Sequence, residues 1–68
     1  MSNRLFTIGE ASSFLQISKP TLYRLTSQKK IPFYKIGGNV RFSEAHLLAW
    51  LEKHAVMPEG VEYDREAI

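Results

Sequence analysis

The chain has 68 residues, no cysteine and a formal net charge of +2. A single domain this small buries only about 60% of the surface its unfolded chain exposes, and without cysteine neither disulfides nor a thiolate zinc site can staple it. The longest apolar string, around Leu47 to Leu51, is far short of the ~20 residues that span a bilayer, and no N-terminal apolar run follows a basic segment. The expectation is therefore a soluble cytoplasmic protein. Charge is unevenly placed. Residues 1–53 hold eight Lys/Arg against three Glu, a net of +5, whereas residues 54–68 hold Arg65 against Glu59, Glu62, Asp64 and Glu66, a net of −3. A basic body with an acidic tail suits a polyanionic partner for the body.

Residues 1–6 read as a leader, with Leu5 and Phe6 as core contributors. Thr7-Ile8-Gly9-Glu10 fits a capping box, in which the Thr hydroxyl and the Glu carboxylate each satisfy a free backbone N–H; Phe6 and Ala11 sit where a hydrophobic staple would. The first helix is expected over Ile8 to Leu15, with Ile8, Ala11 and Leu15 on one face and Phe14 on its flank. After a tight turn, Ser18 caps a second helix that tolerates Pro20 in its first turn and ends near Ser27. Leu22 and Leu25 form its narrow apolar edge; Pro20, Tyr23, Arg24 and Ser27 point away from that edge. Two such helices across a short turn make a helix-turn-helix pattern.

Pro32 forces Ile31 out of the helical region. Phe33 to Ile36 and Val40 to Phe42 then flank Gly37-Gly38-Asn39 as a two-stranded hairpin, with Val40 and Phe42 on one face and Arg41 on the other. Ser43 caps a third helix running to Lys53 or His54, whose apolar face is read as Leu47, Leu48 and Leu51 with Trp50 at its edge. The aromatics Phe33, Tyr34, Phe42 and Trp50 are assigned mainly to the core. Residues 1–54 thus form one domain and 55–68 an acidic tail with little to bury. The fold class expected is mainly α with a small β-hairpin.

Over residues 5–52 the chain resembles the excisionase-type helix-turn-helix domains, small winged-helix proteins related to the DNA-binding head of the MerR regulators. The likeness rests on Leu5 to Ala11, Leu15 to Leu25, Ile31 to Phe42 and Leu47 to Leu51. It implies a winged helix-turn-helix of three helices plus a two-stranded wing, with the recognition helix in the major groove of double-stranded DNA and the wing on an adjacent minor groove or backbone. By the same resemblance Ser18, Lys19, Pro20, Thr21, Tyr23 and Arg24 lie in the recognition helix, and Gly37, Gly38 and Asn39 form the wing tip. Two positions depart from the family pattern. Gln16 stands where a turn glycine is common, at about 1–2 kcal/mol of strain if left-handed, and Asn39 stands where a basic wing-tip residue is common.

Arg24 is the best base-reading candidate, since a forked guanidinium matches the O6/N7 edge of guanine; a solvated surface arginine is the plainer reading. Tyr23 suits either a phosphate or the protein surface. Lys19 and Thr21 sit at a helix start that favours a phosphate, while capping alone explains Ser18. Lys29, Lys30, Lys35 and Arg41 would form an electrostatic rim on the DNA backbone, or serve only solubility. His46 and His54 lie on different helical faces and share no metal, so neither an enzyme, a metal nor another cofactor is expected. The partners expected are double-stranded DNA, with a recombinase or further copies of the chain on adjacent sites, and no membrane or small-molecule ligand. The function expected is that of an excisionase-like accessory factor in site-specific recombination. The alternatives are a small MerR-related transcriptional regulator and a protein-binding adaptor on the same scaffold.

Overall fold

The computed structural model describes residues 4–56. Its elements run β1 (Leu5–Phe6), α1 (Ile8–Leu15), α2 (Lys19–Ser27), β2 (Tyr34–Ile36), β3 (Asn39–Ser43) and α3 (Glu44–Lys53). The helices fall where the caps place them. Thr7 Oγ1 accepts from the Glu10 N–H at 3.2 Å, and Glu10 Oε1 accepts from the Thr7 N–H at 2.9 Å, completing the capping box. The staple pair Phe6 and Ala11 is buried on either side of that cap. Ser18 and Ser43 cap α2 and α3 through the N–H groups of Thr21 and His46, both at 3.3 Å.

The sheet differs from the expected two strands. The supposed leader contributes β1, which pairs antiparallel with β3 (Leu5 with Ser43, Phe6 with Phe42), so the order is β1-β3-β2. A two-stranded hairpin alone is marginal in water; the third strand, with the Glu44 N–H donating to the Arg4 carbonyl at 2.9 Å, anchors it to the helices. The hairpin turn is also tighter than the sequence suggested. Asn39 pairs with Ile36, leaving Gly37 and Gly38 as a two-residue loop at φ +56° and +86°, the signs a type I′ turn requires.

The core is Phe6, Ala11, Leu22, Ile31, Phe42 and Leu47, with Ile8, Leu15, Ile17, Leu25, Phe33, Val40 and Trp50 packed around it. Four side chains assigned inward lie outward. Leu48 and Leu51 are exposed and only Leu47 of that trio is buried, because α3 is an outer layer that meets the body along one line. Leu5 is also exposed: neighbouring residues of a strand face opposite sides, and Phe6 takes the core side. Tyr34, assigned to the core, is exposed as well; it stacks on His46 with ring centroids 5.7 Å apart. Trp50 locks α3 to the connection after α2, its indole N–H donating to the Lys30 carbonyl at 2.8 Å.

Both helices of the turn motif end on a left-handed residue that is not glycine, Gln16 and Lys29, each at φ 57°. At α2 the Lys29 N–H reaches Thr26 O and the Lys30 N–H reaches Leu25 O, the pair of bonds of a Schellman motif. At α1 the Gln16 and Ile17 N–H groups both reach Ser12 O, and Ser12 Oγ donates to Ile17 O at 2.6 Å. These bonds hold Gln16 in the strained conformation. Gln16→Gly should therefore raise the unfolding free energy by about 1 kcal/mol, measured by urea denaturation, with an unchanged m-value.

Candidate nucleic-acid interface

Helix α2 touches the core along one line. Leu22 is fully buried, Thr21, Leu25 and Thr26 are half-buried, and Lys19, Pro20, Tyr23, Arg24 and Ser27 are exposed. At 100° per residue Pro20, Arg24 and Ser27 form one stripe with Tyr23 at its margin. Pro20 lies in the first turn, where its missing N–H leaves no bond unmade, so the stripe begins without a donor and its first polar groups come from Tyr23 and Arg24.

Two concavities flank the hairpin on the α2 side. One, of about 330 Å³, is lined by Tyr23 with Thr7, Ile8, Gly38, Asn39, Val40 and Arg41. The other, about 430 Å³, is lined by Thr26 and Ser27 with Lys29, Phe33, Lys35 and Val40. The fold thus brings Tyr23 together with Gly38, Asn39 and Arg41, and Lys29 together with Lys35. Arg24 lines neither and stands on the open stripe. Arg41 is half-buried and its Nη1 donates to its neighbour's carbonyl, Val40 O, at 2.8 Å. That bond uses one of the five guanidinium donors and steadies the group.

The remaining expected residues are placed differently. The Lys19 side chain lies across the start of α1, its Cε 3.7 Å and Nζ 3.9 Å from where a Gly9 Cβ would stand. Ser18 Oγ donates to Thr21 Oγ1 at 3.0 Å while accepting from the Thr21 N–H, so both hydroxyls serve the cap. Lys30 lines neither concavity, and its carbonyl accepts from the Trp50 indole of α3. Sequence reasoning missed Thr7, Ile8 and Thr26 as neighbours of this surface. Only the sheet, which sets the hairpin against α2, brings them there.

An exposed helix stripe carrying Arg24, presented by a tight turn beside a hairpin flanked by Lys29, Lys35 and Arg41, is the geometry of a helix-turn-helix nucleic-acid-binding domain. A family model described as a helix-turn-helix domain matches residues 5–55, and the chain belongs to that family, one of the excisionase type. No curated protein and no solved structure matches the chain. Among the described residues no helix is long and apolar enough to cross a membrane, and no group of three or more His, Cys, Asp or Glu side chains could hold a metal ion.

Since Ser18 works as a cap, Ser18→Ala should lower stability by about 1 kcal/mol. Thermal melting should register that loss, while duplex preference at a temperature where the variant is folded stays that of the parent chain.

Proposed function

We propose that the chain binds double-stranded DNA sequence-specifically, with α2 in the major groove and the β2–β3 hairpin acting as a wing on the adjacent minor groove or backbone. The observation that carries this reading is the exposed stripe Pro20, Tyr23, Arg24 and Ser27 on a helix whose opposite side is sealed by Leu22. Arg24 reads a base edge. Tyr23 and Arg41, which share a concavity, meet a phosphate beside the wing tip Gly38 and Asn39. Lys29 and Lys35 hold the backbone on the other side of the wing. Lys19 and Thr21 lie toward the phosphate at the start of α2; Lys30 adds only long-range attraction, and Ser18 and Pro20 shape the helix start. Residues 1–54 act as the binding unit and 55–68 as a separate acidic tail.

Within this reading the chain is an accessory factor of the excisionase type, acting in the cytoplasm on nucleoid DNA by occupying and bending sites beside those of a site-specific recombinase. The small contact area of one copy favours repeated sites or a protein partner. Family membership supports DNA binding; the recombination role is our extension of it.

Selection from a random duplex pool at low salt should enrich one motif, and a pool with no enriched sequence would defeat the reading. On the enriched duplex, Arg24→Ala should lose about 1–3 kcal/mol of discrimination at one base pair. Lys35→Ala should instead weaken all duplexes alike and lower the slope of log affinity against log salt by about 1. Gel retardation of circularly permuted fragments measures the bend, and unaltered mobility would remove the bending step.

A further inference from the structure

The hairpin ends on two side chains. Gly37 and Gly38 form its turn at φ +56° and +86°, so its leading end is bare backbone. The first side chains behind that turn are Ile36 and Asn39, which are cross-strand partners and both exposed, Ile36 by 55%. Partners in an antiparallel pair share a face, and successive residues of a strand alternate. Ile36 and Asn39 therefore stand on one face with Tyr34 and Arg41, and Lys35 and Val40 stand on the other. Neither member of the tip pair is charged, yet a cation follows it on each face.

That order suits a groove with charged walls and an uncharged floor. Arg41 is two residues behind Asn39, about 7 Å along the strand, and the minor groove of B-DNA is about 7.5 Å deep. With the tip at the floor, Arg41 is level with one phosphate strand and Lys35, on the opposite face, turns toward the other. A contact to the backbone alone would use only the two cations, and an aliphatic side chain at the tip would gain nothing from it.

The floor itself is chemically selective. A·T and T·A present only the acceptors adenine N3 and thymine O2, whereas G·C adds the guanine N2 amino donor. The Asn39 amide can serve either, donating to the acceptors or accepting from the amino group. Ile36 cannot: its methyl groups against the floor would bury the free amino N–H without an acceptor, which costs the desolvation of that donor. We infer that Ile36 and Asn39 select an A·T pair on the minor-groove floor, Asn39 by donating to adenine N3 or thymine O2 and Ile36 by excluding the guanine amino group. This rests on the DNA-binding mode proposed above and names the bases its wing contacts. It separates A·T from G·C only, so the fuller reading of base identity is left to α2 in the major groove.

The test uses the full chain and the duplex enriched from the random pool, scanned pair by pair with base analogues. Inosine·C keeps the minor-groove face of A·T with the major-groove face of G·C, and 2,6-diaminopurine·T does the reverse. The informative pair is an A·T about half a helical turn from the pair read by Arg24. There inosine·C should leave Kd within about twofold, while diaminopurine·T and G·C should each weaken binding about fivefold or more. Ile36→Thr, whose hydroxyl can accept from the amino group, should remove most of the diaminopurine penalty. Asn39→Ala should weaken binding to the A·T duplex about fivefold, with circular dichroism confirming that both variants fold. Indifference to diaminopurine at every A·T pair, or a gain from the added amino group, overturns the inference and leaves the DNA reading standing with the hairpin on the backbone alone. A penalty unchanged in both variants overturns it too, since another group would then occupy the groove. A chain that retards no duplex removes the DNA reading, and this inference with it.

Discussion

Strand β3 is the constraint through which every other element is placed. Five residues do four tasks. Asn39 and Val40 complete the hairpin with β2, Phe42 fills the centre of the core, Phe42 and Ser43 pair with β1, and Ser43 caps α3. Phe42 and Ser43 are neighbours facing opposite sides of the sheet, and both are almost wholly buried. The strand therefore packs against both α1 and α3, with Phe42 in one core cluster with Leu22 of α2 and Ser43 at the start of α3. A chain this short has no second core to fall back on, so the hairpin's position relative to α2 is fixed by the same contacts that make the protein fold.

That economy explains why α2 is left so bare. Leu22 alone is sealed on this helix, and Leu25 is half-buried; the orientation of α2 then depends on its two ends. At its start are the Ser18 cap and the bonds around the turn through Ser12 O, and at its end is the Schellman pair through Leu25 and Thr26 carbonyls. Both ends carry a non-glycine residue in the left-handed region, which costs energy a glycine would save. The strain is tolerated because each bend satisfies carbonyls that a helix end otherwise leaves open.

How much of this was legible depends on whether a signal was local. The capping box, Ser18 with Pro20, and Ser43 with Glu44 are written in neighbouring residues, and the three helices fall where those residues put them. The left-handed Gln16 was readable through the resemblance. By contrast, β1 is two residues long and carries no periodicity; it exists only because β3 offers it an edge. Leu48 and Leu51 misled for a related reason. A helical wheel shows which residues share a face, but the width of the neighbour beneath them decides how many are covered. The candidate surface divides the same way. Its stripe on α2 follows from the wheel, whereas the grouping of Tyr23 with Arg41, and of Lys29 with Lys35, required the hairpin's place beside α2.

The division of labour on that surface follows from how firmly each group is held. Arg24 stands on the open stripe, where a long side chain must be ordered by whatever it binds, and the entropy of that ordering is charged to the complex. Arg41 is already steadied by the Val40 carbonyl, so it gives up less freedom on contact, yet it sits beside the hairpin tip rather than on the helix. The tip itself carries no side chain at Gly37 or Gly38; at φ +56° and +86° a larger residue would be strained there. In the binding mode proposed above, the hairpin approaches closely and places charge, and α2 discriminates. In that proposal, with Pro20 contributing no donor, major-groove discrimination would fall to Tyr23 and Arg24, only one of which can match a guanine edge with a fork of parallel donors. On that proposal a single copy would have more capacity to hold a backbone than to choose a sequence, and selectivity would come from arrays of sites or from how readily a site bends.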